Sequence, residues 1–455
     1  MDRLTVVDEI FLRTHRGMGT PIALQGLWRT PDAMEPALLR AIHDRLRSGR
    51  LGRRVVNPRV PGARRAWHPN TTAHPLDLLP NHTEIAETDW PATPIAHDSG
   101  HCAGPLPAHA ILAWADRLGT DLDPEFAPGW RLSAARLEDG GTVVALTCSH
   151  ALADARGLIH AVTVALRSLD PAHDASNGLL PVCETRCRTT SSEWKDASSQ
   201  WATIVGGTAR ALFRKLPRRS ARPTTDHVAR EPGVSNAPPL NPGSPGDRHP
   251  HPLLLSFDAT HWDITASTLG GTPNSLFIHV IANILWQNGF PNPVITASLP
   301  VDTRDEPRVD NDLAMTEIAI HRTDTPATIR DRARSAYQRR MSSPAGLPEE
   351  ILQVIPDRWA YTLSKGAGER DILCSNIGSL PDAVRRVGPH DCTRVAARAI
   401  HPGITDFPRT QLAGYLSQLR DTYTLALVSL AADNDSLPDA VDKACAAIGL
   451  HPATW

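Results

Sequence analysis

Residues 217–252, PRRSARPTTDHVAREPGVSNAPPLNPGSPGDRHPHP, limit what this chain can fold into. They are dense in Pro, Gly, Ser and Asn and carry few large apolar side chains, so they bury too little surface to offset the entropy lost on ordering. We read them as a linker. They split the 455 residues into an N-terminal lobe, 1–216, and a C-terminal lobe, 253–455, each long enough for its own core.

In the first lobe, residues 141–160 read GTVVALTCSHALADARGLIH. Thr142 to Cys148 is a buried-strand run, and Leu152 to Leu169 has the three-to-four apolar spacing of a helix that hides one face. His150 therefore falls where a strand gives way to a helix. Such a junction holds an imidazole rigidly at a cleft with one nitrogen free for proton transfer. Asp154, four residues on, fixes either the ring or the turn that carries it. No other His in the chain has Asp at that spacing. Upstream, Trp130 to Leu137 is a strand, and residues 138–141 form the hairpin turn into the strand that ends at His150.

The remaining pattern supplies the frame. Met1 to Arg13 is a helix with Val6, Val7, Ile10 and Phe11 on one face, followed by a strand from Thr20 to Trp28. Glu35 to Ser48 is an amphipathic helix burying Leu38, Leu39, Ile42 and Leu46. Arg53 to Trp67 reads as strand with a central turn, its arginines on a solvated face. Residues 68–105 are loop with a strand near Thr83 to Glu87, and Ala108 to Leu118 is a helix. Trp194 to Leu216 is a helix with a basic end that either packs on the protein or touches a membrane surface. After the linker come a strand, Leu253 to Phe257, and a helix opened by Thr272 and Pro273, a capping residue and a first-turn proline. The strand Val294 to Pro300, charged helices over 327–340 and 349–361, and the strand Ile372 to Pro381 follow. Val395 to Ile400, Gln411 to Leu419 and Thr422 to Ala431 form a meander, and a helix from Leu437 to Ile448 closes the chain.

The segment SHALADARG resembles the HHxxxDG signature of the chloramphenicol acetyltransferase and peptide condensation-domain superfamily, especially its wax ester synthase/diacylglycerol acyltransferase branch. LTVVDEIFL from Leu4 is similar to that branch's LTxxDxxFL opening, and residues 122–130 partly match its PLDxxxPLW segment. GGTPNSLFIHVIA is similar to GATVNDxxLA, with Ser275 where aspartate is usual. PVDTR is similar to PVSLR, Asn311 to the following GN with Asp310 in place of glycine, and SNIGSLP to SNxxGP. These matches run in the family's order through both lobes.

The resemblance implies an α/β (α+β) fold of two chloramphenicol acetyltransferase-like lobes with a substrate channel between them and His150 midway along it. His150 would take the proton from a hydroxyl or amine as it attacks an acyl thioester, with no covalent intermediate. Backbone N–H groups after the motif would hold the oxyanion. Asp154 would be structural and paired with Arg304, which otherwise is an exposed loop arginine. Ser149, at the family's first histidine, and Asn376 are candidate substrate-binding residues, although an Asn before Gly378 also suits a turn. Ala155 replaces the family's glycine and would be strained if that position needs positive φ, with Gly157 as relief. The implied co-substrate is acyl-CoA or an acyl carrier protein, with an alcohol or amine acceptor and no bound cofactor. Ester formation is favoured over amide formation by a condensation-type enzyme, and a catalytically inactive binding protein of the same fold is a third reading.

Composition removes other classes. A formal charge of −2 and a pI near 6.9 exclude a bulk electrostatic attraction to nucleic acid. The odd number of cysteines, seven, scattered through a long chain, reads as reduced thiols in a cytoplasmic protein. Cys183 and Cys187 lack a second ligand pair at finger spacing, and His97 and His101 lie in a polar loop, so no metal site is expected. The first twenty residues carry too many charges for a signal peptide, and no apolar run approaches the roughly 18 residues of a membrane span.

Overall fold

The computed structural model describes residues 3–17, 21–79, 104–169, 190–215, 249–339, 369–404, 407–431 and 436–455, without the side chains of 15–17, 190, 207–215 and 339. The strand expected near Thr83, His97, His101, Cys102, Cys183, Cys187, residues 217–248 of the linker and the helix expected over 349–361 lie outside the described residues.

The first half runs α1 (Val6–Gly17), β1 (Ala23–Thr30), α2 (Pro36–Ser48), β2 (Arg53–Val56), β3 (Ala66–Pro69), β4 (Asp77–Leu79), α3 (Ile111–Asp116), β5 (Trp130–Arg136), β6 (Thr142–Ser149), α4 (Ala155–Arg167) and α5 (Thr190–Lys215). The second runs β7 (His251–Asp258), α6 (Ala259–Thr268), α7 (Pro273–Gln287), β8 (Val294–Asp302), β9 (Leu313–His321), α8 (Pro326–Arg339), β10 (Ile372–Ser379), the short β11 (Arg386–Val387) and β12 (His390–Asp391), β13 (Arg394–Ile400), β14 (Leu412–Leu419), β15 (Thr422–Ser429), α9 (Leu437–Ala446) and β16 (Ala453–Thr454).

Two mixed sheets organise these elements. One has the order β13-β1-β6-β5-β4, the other β16-β7-β15-β14-β10-β8-β9. Strand alternation in the second sheet separates two cores. Leu255, Phe257, Leu412, Leu416, Leu425 and Leu427 face a cluster that includes Phe277, Ile281 and Leu285 of α7 and Val441 of α9. Leu254, Ala413, Tyr415, Ala426 and Val428 point the other way and join the core of the first half, with Leu27, Trp130 and Leu146. The second sheet thus has helices against one face and the first half against the other.

α7 shows how local chemistry sets a boundary. Thr272 caps it, its hydroxyl accepting from Ser275 N at 3.2 Å while Ser275 Oγ accepts from Thr272 N at 2.8 Å, and Pro273 occupies the first turn. Ser275, which stands where the resembled family has aspartate, closes this capping box.

Three expectations need correction. The strand expected over Val395 to Ile400 in a C-terminal meander lies instead in the first sheet, antiparallel to β1 from Ala23↔Ile400 to Arg29↔Arg394. Its buried Arg398 explains the location: the guanidinium donates to Gln25 Oε1 at 2.8 Å and pairs with Asp116 at 2.6 Å, so its only low-cost berth is against the first half. Arg53, expected on a solvated face, is inside. It pairs with Asp310, donates to the Leu152 carbonyl at 2.6 Å and stacks 4.1 Å over Trp67. α4 begins at Ala155 rather than at Leu152, after a turn that closes from Leu152 N to Ser149 O at 2.9 Å.

Candidate active site

β6 lies between β1 and β5, with Ala23 opposite Ser149. One residue later His150 N still donates to Ile22 O, at 3.0 Å, before the chain turns into α4. The imidazole is therefore anchored by the last rung of a central strand. Its Nδ1 lies 3.2 Å from Asn311 Oδ1. The Asn311 amide is oriented by its own donors: Nδ2 gives to Asp8 Oδ1 and to the His150 carbonyl, both at 2.8 Å. With the amide oxygen facing His150, the ring proton resides on Nδ1 and the Nε2 lone pair is available. No described side chain or backbone group hydrogen-bonds Nε2.

The Phe11 ring stacks on the imidazole at 3.6 Å between centroids and 16° between planes. Burial pushes the His150 pKa below the ordinary histidine value, against the opposing effects of its hydrogen bonds and the charge of Asp154, so the ring is neutral at neutral pH. Asp8 is fully buried, and burial raises its pKa while the charge of Arg53 and hydrogen bonds from Thr5 and Asn311 oppose the rise.

Asp154 does not hydrogen-bond the ring. It caps α4 through Gly157 N at 2.9 Å, and its other oxygen accepts from Arg304 at 2.5 Å and from Asp312 N at 3.1 Å. Arg304 also donates to Asp302 Oδ1 at 2.8 Å and to the Asp310 carbonyl at 2.6 Å. The motif turn and the β8–β9 loop are thereby fastened together. Gly157 is required by closeness: a Cβ there would lie 2.3 Å from the Val309 carbonyl oxygen. Ala155 needs no relief. It is the first residue of α4, and Arg420 is the one non-glycine residue with positive φ among the described residues.

Neither of the other candidates hydrogen-bonds the ring. Ser149 is buried, its hydroxyl without a hydrogen-bond partner among the described residues. Asn376, on β10, accepts from Gly378 N at 2.9 Å and donates to Asn274 Oδ1 at 2.9 Å, so it builds the turn and ties it to α7. Sequence reasoning missed Phe11, Asp8 and Asn311 as neighbours of His150, and it missed His401. That residue follows β13 directly, across β1 from His150, with Nδ1 3.2 Å from the Pro21 carbonyl. Burial lowers its pKa to about 4, with the nearby His150 adding to the effect.

No family model and no curated protein sequence matches the chain. Solved structures do. The wax ester synthase/diacylglycerol acyltransferase from Marinobacter aquaeolei VT8 aligns over 98% of both chains at 14% identity and a TM-score of 0.53. The chain has the condensation-domain fold. The condensation domain of the monacolin K polyketide synthase MokA matches over 98% of this chain and 96% of that one, at 12% identity and a TM-score of 0.56. Nonribosomal peptide synthetase FmoA3 matches at 15% identity and a TM-score of 0.56, and there the chain spans only 44% of the longer protein. On this fold, the motif turn of the first half and the β8–β9 loop of the second supply the two sides of the imidazole's surroundings.

Proposed function

We propose that the protein is an acyltransferase that moves an acyl group from a thioester donor, acyl-CoA, to a hydroxyl acceptor, with His150 as general base. The observation that carries this reading is a neutral imidazole whose Nδ1 is committed to Asn311 while Nε2 has no hydrogen-bond partner among the described residues. Nε2 takes the proton of the acceptor hydroxyl as the oxygen attacks the thioester carbonyl. The tetrahedral intermediate then expels the thiolate, which recovers the proton from the imidazolium, so no acyl-enzyme forms.

Backbone donors after the motif would steady the oxyanion. Leu152 N and Gly157 N are already engaged in the turn and the cap, which leaves this task to the other N–H groups of the segment. Asp154, Arg304 and Gly157 hold that segment against the β8–β9 loop. The carboxylate makes no hydrogen bond to the ring.

The test is release of free thiol from acyl-CoA in the presence of candidate alcohols. His150→Ala abolishes turnover while circular dichroism stays unchanged, and undiminished turnover in that variant refutes the assignment. A second reading, amide formation from an acyl group on a carrier protein, is favoured by the likeness to a condensation domain, which is as strong as that to the wax ester synthase. Turnover confined to carrier-bound donors with amine acceptors would select it.

A further inference from the structure

The large apolar side chains exposed among the described residues are Phe126, Trp194, Trp201, Val205 and Ile264, and three of them belong to α5. Positions 194, 201 and 205 are seven and four residues apart, so they fall within about 40° of one another around the helix axis. Trp194 is 62% exposed, Trp201 51% and Val205 62%.

Another side of α5 is firmly packed, and the half-exposed Trp201 indole borders it, with one edge lying against Gly62. Ala197 joins Val60 and Ala63 in a small core, and Glu193 accepts from Arg59 N at 2.9 Å and Val60 N at 3.2 Å. Asp196 accepts from Arg64 N at 2.8 Å and from the Arg64 guanidinium at 2.7 Å. Both acidic residues of the helix are thus turned toward the protein. The other charged residues of α5, Lys195, Arg210, Arg214 and Lys215, are all basic, and Lys195 and the neighbouring Arg59 are exposed. Phe126, 74% exposed, adjoins Glu125, which accepts from Asn57 at 2.8 Å in the loop that α5 packs on.

We propose that α5 is a docking face for an anionic lipid surface, with Trp194, Trp201 and Val205 entering the interface and Lys195 and Arg59 at the level of the headgroups. Indole rings favour that boundary, apolar on one side and wet on the other. Cations without exposed acidic neighbours on the helix are attracted by the negative surface potential of such a leaflet. The same charges disfavour a second copy of the chain as occupant, because a symmetric contact through this face would set cations against cations. No described helix is long and apolar enough to cross a membrane, so the attachment is peripheral.

Co-sedimentation of the full chain with vesicles of phosphatidylcholine alone, and of phosphatidylcholine mixed with phosphatidylglycerol, tests this. The expected result is retention on the mixed vesicles, weakened by salt. The double substitution Trp194→Ser and Trp201→Ser, at positions more than half exposed, should lower it by about tenfold or more. Lys195→Glu, which leaves the packed side untouched, lowers it in the same direction. Failure to bind mixed vesicles, or equal binding by the double variant, overturns the proposal. So does light scattering that shows the double variant turning a dimer into a monomer, or loss in that variant of binding to an acidic carrier protein with vesicle binding intact.

Discussion

Asn311 Oδ1 and His150 Nδ1 face each other at 3.2 Å although 161 positions separate them in the chain. Asp8 sets the direction of that contact, because it accepts both the backbone N–H of Asn311, at 3.1 Å, and the side-chain Nδ2, at 2.8 Å. The amide cannot turn over without losing these bonds.

Asn311→Leu removes the acceptor at similar volume. It should lower kcat by about tenfold to a hundredfold, with KM little changed, because the base loses its tautomer and orientation rather than its substrate contacts. Nitrogen NMR of the imidazole would show His150 moving from the Nδ1–H form toward the Nε2–H form, a change that loss of stability alone does not produce.

Arg304 and Asp154 are a buried pair, with side-chain exposures of 7% and 6%. Arg304→Met leaves the Asp154 carboxylate without its guanidinium and should cost about 3–5 kcal/mol in urea unfolding. The double substitution with Asp154→Asn should recover part of that loss, since no unpaired charge remains.

Gly157→Ala forces a methyl group into the Val309 carbonyl, 2.3 Å away. The expected cost is about 1–3 kcal/mol as the β8–β9 loop shifts from α4, measured by thermal or urea unfolding. Ala155→Gly, which would help if Ala155 were strained, should bring no gain, because its backbone is not left-handed.

Two histidines give opposite pH dependences. His390 lies with Nδ1 2.8 Å from Asp32 and Nε2 2.9 Å from Glu35, and these hydrogen bonds outweigh burial to raise its pKa. Its contribution is complete below the ordinary histidine value and is lost as pH rises through the raised one. His401, lowered by burial from 6.5 to about 4, works the other way: the unfolded chain binds the proton first, so stability falls as pH drops through that interval. Urea midpoints against pH should lose slope on the alkaline side in His390→Gln and on the acid side in His401→Gln.

What could be read in the chain without coordinates was local. The strand-to-helix junction at His150, the hairpin before it and the Thr272 cap each depend on neighbours within a few residues, and the structure has them. The Arg304–Asp154 contact was accessible only through resemblance, because nothing in the spacing of two residues 150 positions apart requires them to meet. Arg53 was misjudged, and the berth of the strand that carries Arg398 missed, for one physical reason. An arginine in a strand pattern belongs in water unless carboxylates or carbonyls await it, and Asp310, Leu152 O, Asp116 and Gln25 come from remote segments. Phe11 beside His150 was equally silent, since a helical apolar face does not announce which ring it will cover.

β13 has a consequence for biogenesis. A ribosome that has emitted only the first half has made a sheet whose central strand, β1, still offers one bare row of amides and carbonyls. That row stays open until residues 394–400 emerge and pair with it, so assembly of the His150 side of the protein waits on a segment made well after the first half. Any truncation that ends before β13 therefore yields a sticky half-sheet instead of an autonomous domain.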